Sequence, residues 1–171
     1  MKRTFLTTAS LSVLLSANLY ATDISVKITN LTKGILIPHL FVSAHAPEHK
    51  TFTLGTAASS EIQDMAENGA IAGLENLIAD DNHGDINGNS LAAGANTTAI
   101  ITNINKGNTQ LTVLGMMLPT NDGFIGLNSI DIPTNAGTYT YNINAYDAGT
   151  EANDELTAHI PALATGTGGT G

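Results

Sequence analysis

Ile24, Val26 and Ile28 alternate with Ser25, Lys27 and Thr29, and Tyr139, Tyr141, Ile143 and Ala145 alternate with Thr140, Asn142 and Asn144. A period of two puts one set of side chains on each face of a strand, so both segments read as half-buried β-structure. Other short apolar runs flank turn residues in the same way. Ile35 to Val42 is almost wholly apolar apart from Pro38 and His39. Proline cannot donate to a ladder, so this run is expected to be an edge strand or a strand broken at a bulge. Residues 98–104 and 111–118 read as two strands around Asn105-Lys106-Gly107-Asn108, a hairpin signal.

One stretch departs from this pattern. Ser60 is placed to cap a helix, with Gln63 completing a capping box, and Ile62, Met65 and Ala66 share a face. Asn68-Gly69 supplies a stop, and a second helical piece follows through Leu74, Leu77 and Ile78. The expected fold is therefore all-β, an antiparallel β-sandwich with a short helical insertion around residues 60–79.

Residues 1–21 read as a secretory signal peptide. Lys2 and Arg3 precede a short apolar segment from Phe5 to Leu15, and Ala21 offers a small residue for cleavage. That segment is too short to span a bilayer, and no other apolar run approaches the required length of about 20 residues. The chain has no cysteine, which excludes a lipidated cysteine after cleavage. The expected mature domain covers residues 22–162, followed by a disordered Gly/Thr tail over 163–171. The implied location is secreted or periplasmic. Removing Lys2 and Arg3 from six basic residues leaves four against fifteen acidic ones, a balance of −11. Such a surface repels phosphate backbones, which argues against nucleic acid, and attracts cations.

Two motifs concentrate carboxylates in turns next to apolar runs. They are Asn121-Asp122-Gly123-Phe124-Ile125-Gly126-Leu127 and Tyr146-Asp147-Ala148-Gly149-Thr150-Glu151. If residues 111–118 and 138–146 are neighbouring strands, both motifs meet at one end of the sandwich. Three carboxylates brought together repel, and a divalent cation with oxygen ligands at about 2.3–2.6 Å removes that cost. The competing reading is of ordinary Asx turns with solvated acids. Other candidates are weaker. Asp80-Asp81-Asn82-His83-Gly84-Asp85 has the flavour of an EF-hand loop, but Gly84 stands at its fifth position and Leu91 at its twelfth. His39, His45 and His49 lack a helical frame for zinc, because Pro47 interrupts them. They are expected to be satisfied or surface histidines. The chain carries no Gly-x-Ser-x-Gly elbow or phosphate loop, and no tryptophan to line a sugar cleft, so it is not expected to be an enzyme.

Leu118-Pro119-Thr120-Asn121-Asp122-Gly123-Phe124-Ile125-Gly126-Leu127 resembles the Pro-Ser-(Pro/Asn)-Asp-x-Phe-Val-Gly-Leu signature of the spondin N-terminal (F-spondin) domain family. Tyr146-Asp147-Ala148-Gly149-Thr150-Glu151 is similar to that family's Tyr/Trp-Asp-Ala-Gly-Thr-(Asp/Glu) motif. Pro38-His39-Leu40-Phe41-Val42-Ser43-Ala44-His45 and the block from Ala58 to Gly69 resemble bacterial members. The resemblance covers about residues 24–160. It implies a C2-like sandwich with one Ca2+ at a sheet end, held by Asp122, Asp147 and Glu151. Glu151 is one methylene longer than the aspartate of many animal members. Gly123 stands where an aromatic residue is frequent, and the disulfide cysteines of animal members are missing.

The function implied is that of a monomeric, calcium-binding recognition or adhesion module, whose partner is an extracellular or cell-surface protein or glycan. The alternatives are an envelope protein with a purely structural calcium or with no metal, and a secreted hydrolase.

Overall fold

The structure is a computed structural model that describes residues 23–78, 82–83, 90–154, 156 and 160. The expected signal segment, the Gly/Thr tail and all of the 80–89 loop except Asn82 and His83 lie outside the described residues.

Among the described residues the elements follow in the order β1 (Ile24–Thr29), β2 (Leu40–His45), α1 (Ser60–Asn68), α2 (Ala72–Leu77), β3 (Asn82–His83), β4 (Asn96–Ile101), β5 (Gln110–Met116), β6 (Gly123–Asp131) and β7 (Asn144–Asp147). They form two antiparallel sheets. Among the described residues β1 pairs with β4 alone, and the larger sheet runs β3-β2-β5-β6-β7. This is the expected all-β, sandwich-like fold with a helical insertion.

Two cores account for the layering. Between the sheets, Ile28, Ala99 and Ile101 of the small sheet meet Leu40, Val42, Ala44, Val113 and Ile125 of the large one. On the opposite face of the large sheet, Phe41, Leu114 and Phe124 pack with Ile62, Met65, Ala66, Leu74 and Ile78 of the helical insertion. Each Val, Leu, Ile, Phe or Met side chain among them contributes about 1.5–3 kcal/mol when fully removed from water. The large sheet is therefore covered on both faces, which explains why every residue of β2 is buried.

The run over residues 35–42 is a broken strand, one of the two forms expected of it. Pro38 and His39 do interrupt the run: Leu36 and Ile37 make isolated bridges to Leu118 and Leu91 before β2 begins at Leu40. β2 lies between β3 and β5, but β3 pairs only with Ser43 and Ala44, so among the described residues Leu40, Phe41 and Val42 pair with β5 alone. The hairpin expected around residues 105–108 is corrected. The turn exists, with Asn108 N–H donating to Asn105 C=O at 2.8 Å, but it carries the chain from β4 in one sheet to β5 in the other.

α1 starts one residue earlier than its sequence suggests. The Ser59 hydroxyl accepts from Ile62 N–H at 3.3 Å, and Gln63 bonds the Glu67 carboxylate instead of closing a capping box. Gly69 ends the helix at φ 69°, and a Cβ there would lie 2.8 Å from the His39 ring. Both the left-handed backbone and the space require glycine. In α2, Leu74 and Ile78 turn inward while Leu77 is exposed.

Candidate functional site at the start of β6

A tight turn joins β5 to β6. Thr120 Oγ1 donates to Met117 C=O at 2.6 Å and accepts Gly123 N–H at 3.1 Å, while Met117 N–H donates to Gly123 C=O. Asp122 stands at the end of this turn, immediately before β6, and is 2 % exposed. β7 returns alongside, pairing Asp147 with Gly123 and Tyr146 with Phe124. The two acidic motifs therefore occupy the same end of neighbouring strands. They meet through β6 and β7, not through residues 111–118 and 138–146 as neighbours, because β6 lies between those segments.

The contact between the motifs is specific. Asp122 C=O accepts Ala148 N–H at 3.2 Å, and its side-chain Oδ2 accepts Thr150 N–H at 2.7 Å, Glu151 N–H at 3.1 Å and the Thr150 hydroxyl at 3.2 Å. A buried carboxylate supplied with several donors is stabilised by charge-assisted hydrogen bonds. Asn121 adds a bond from its amide to Ala152 C=O at 3.1 Å. Asp122 is thus the post around which the 148–152 loop is wound.

Asp147 is exposed. Its Oδ1 accepts Gly149 N–H at 2.7 Å, an Asx turn made with Gly149 at φ 69°, and its Oδ2 accepts the Asn153 amide at 3.0 Å. Glu151 is half-buried, and its Oε2 is enclosed without a hydrogen-bond partner among the described residues. Among the described residues no group of three His, Cys, Asp or Glu side chains is already arranged to hold a metal ion. The loop gathers hard oxygen donors without closing them into a cage.

Three aromatic rings back this end of the sheet. Phe52, Phe124 and Tyr146 stand 5.3–5.5 Å apart between centroids, with Phe52 and Phe124 edge to face. They border a groove of about 260 Å³ that runs between residues 50–59 and Asp147. Phe124 and Tyr146 belong to the two motifs. Phe52 carries no sequence signal, since it lies in an irregular segment distant from both.

Among the described residues His39, His45 and His49 form no group that could hold a metal ion. His45 is fully buried, with Nδ1 2.9 Å from Ala46 C=O and Nε2 2.7 Å from Thr112 Oγ1. Nδ1 faces a carbonyl and therefore donates. Both ring nitrogens are engaged, which leaves His45 no lone pair for zinc.

A family model described as Spondin_N matches residues 32–167, most of the chain. A search of curated proteins gives no match.

Proposed function

Starting from the premise that this chain belongs to the Spondin_N family, we propose that it is an extracellular recognition or adhesion module whose sheet end binds one Ca2+. The family is one of non-catalytic modules, and no described helix is long and apolar enough to cross a membrane. The observation that carries the calcium reading is Glu151 Oε2, a buried carboxylate oxygen with no partner among the described residues. An oxygen so placed costs free energy unless a cation or donor satisfies it.

The proposed ligands are Asp122, Asp147 and Glu151. The Asp122 bonds converge on Oδ2, so Oδ1 is the oxygen that would remain for an ion. Asp147 and Glu151 flank the loop that Asp122 holds, and each side chain supplies a hard donor suited to calcium. Bound calcium would supply charge neutralisation and tie the 119–123 turn to the 147–151 loop. The partner face is then this loop cluster, presented to an extracellular or cell-surface protein or glycan.

The test is thermal melting of the protein in millimolar calcium and in chelator, beside Asp147→Asn. Free calcium at 100 times its Kd stabilises by about 2.7 kcal/mol. A calcium-dependent rise in Tm that the variant loses supports the site. An identical Tm in both buffers removes it.

A further inference from the structure

The smaller sheet has an open side. β4 occupies one edge of β1, and among the described residues no strand takes the other. A groove of about 1480 Å³ lies against β1 and is lined also by residues 130–141 and by Leu111, Val113 and Leu127 from the inner face of the large sheet. Its apolar lining and its neighbouring backbone edge are independent features that call for the same kind of occupant.

The edge can be read residue by residue. Asn30 N–H donates to Ala95 C=O at 2.9 Å, and the register continues from that pair through Ile28–Thr97, Val26–Ala99 and Ile24–Ile101. Antiparallel alternation then turns the N–H and C=O groups of Ser25, Lys27 and Thr29 away from β4. Meanwhile Ile24, Val26 and Ile28 direct their side chains to the core. An edge of this kind is a template for an added strand.

The surroundings select the strand's chemistry. Asp23 and Asp131 are exposed carboxylates at the groove, against the single ammonium of Lys27 on β1. Tyr139 and Tyr141 are 48 % and 46 % exposed, and aromatic rings at such positions suit contact with a cation. The whole chain carries a net charge of −9. We propose that the free edge of β1 and its groove receive an extended segment of a partner protein in which apolar residues alternate with lysine or arginine. Main-chain bonds to Ser25, Lys27 and Thr29 supply the pairing. Apolar side chains enter over Val113 and Leu127, and the basic ones remain at the acidic rim.

Amide hydrogen exchange tests this in the whole protein, with a synthetic peptide alternating valine and lysine and a twin alternating valine and glutamate. In the free protein the amides of Ser25, Lys27 and Thr29 are expected to exchange freely. The lysine peptide at ten times its Kd should slow them about tenfold, and the glutamate twin should not. Lys27→Pro deletes one outward N–H and should abolish the protection of Ser25 and Thr29. The unchanged protein should lose protection equally with a lysine peptide N-methylated along its pairing edge, which separates edge pairing from damage to β1. Three results overturn the proposal. One is protection of these amides before peptide is added, which would mean that the chain's own Tyr139–Ile143 segment or, if protection grows with protein concentration, a second copy fills the edge. The others are equal protection by the two peptides and protection by neither.

Discussion

Asp122 Oδ2 accepts the backbone N–H of Thr150 at 2.7 Å across 28 residues of sequence. That single bond joins the turn before β6 to the loop after β7, and the Glu151 N–H and Thr150 hydroxyl reinforce it. Hydrogen bonds to a charged, buried acceptor contribute about 1.5–3 kcal/mol. Asp122→Ala is therefore expected to lower stability by about 3 kcal/mol in urea unfolding. Asp122→Asn keeps a carbonyl acceptor and should lose about half as much. Equal, small losses for both would show that the carboxylate does not hold the loop.

Glu151 gives a prediction with opposite signs in two buffers. Its enclosed Oε2 has no partner among the described residues, so an ionised carboxylate there is a liability without a cation. Glu151→Gln should leave stability unchanged or raise it by about 1 kcal/mol in chelator. In millimolar calcium the same variant should melt below the parent, because the parent alone gains from binding. Parallel behaviour in both buffers would contradict a role for Glu151 as a ligand.

The elements that were legible in the sequence are those whose signal is local. Period two at Ile24, Val26 and Ile28 gave β1, and the Asn68-Gly69 stop gave the end of α1. β6 carries no strand signal in the sequence although, at nine residues, it is the longest strand among the described residues. Its apolar residues Phe124 and Ile125 are adjacent and serve two different cores, so no alternation is visible. Residues 138–143 failed the other way: they alternate well, yet the ladder to β6 runs only from Asn144 to Asp147. Alternation reports faces, not partners. The site shows the same limit, because the motifs carry the signal of the turn before β6 and the loop after β7, while the three donors on Asp122 Oδ2 follow from loop geometry alone.

A buried polar chain crosses the large sheet from β2 to β6. His45 Nε2 meets Thr112 Oγ1 at 2.7 Å, and the same oxygen accepts Ser129 N–H at 2.9 Å. Ser129 sits at φ 53°, beside the register shift between Leu111 and Val113. The hydroxyl thus holds a β-bulge in place. Thr112→Val keeps the shape but leaves His45 and Ser129 each short of a partner. The expected loss is about 2–6 kcal/mol, from about 1–3 kcal/mol for each of the two orphaned groups, read as a lower urea midpoint. Thr112→Ser, which keeps the oxygen, should recover most of it.

Acid should weaken the start of α1. The Glu61 carboxylate is held below its ordinary value of 4.5, first by its own backbone N–H and then by the Ser59 and Ser60 hydroxyls. The unfolded chain consequently binds the proton at a higher pH than the folded one. The stabilisation is complete above pH 4.5 and is lost as pH falls through the lower folded value. Glu61→Gln should flatten the stability profile below pH 4.5 and leave its slope above that pH unchanged. A carbon-detected NMR titration placing the Glu61 midpoint at or above 4.5 would contradict the assignment.

Gly126 explains why the first motif needs a residue without a side chain in the middle of a strand. A Cβ there would lie 3.0 Å from Phe52 Cζ and 3.2 Å from Tyr146 Cε2, inside the aromatic cluster behind the candidate site. Two rings rest directly on the backbone of β6, and the glycine makes room for them. Gly126→Ala should force those rings outward and cost about 1–3 kcal/mol, the range for an overpacked core. Phe52 lies on an irregular segment and is the ring more free to move, so Phe52→Leu should relieve part of the strain. In a double-mutant cycle the combined loss should fall short of the sum of the two single losses by at least about 0.5 kcal/mol. Strict additivity would place the cost of alanine in the strand backbone, and the contact with Phe52 would then play no part in fixing glycine at this position.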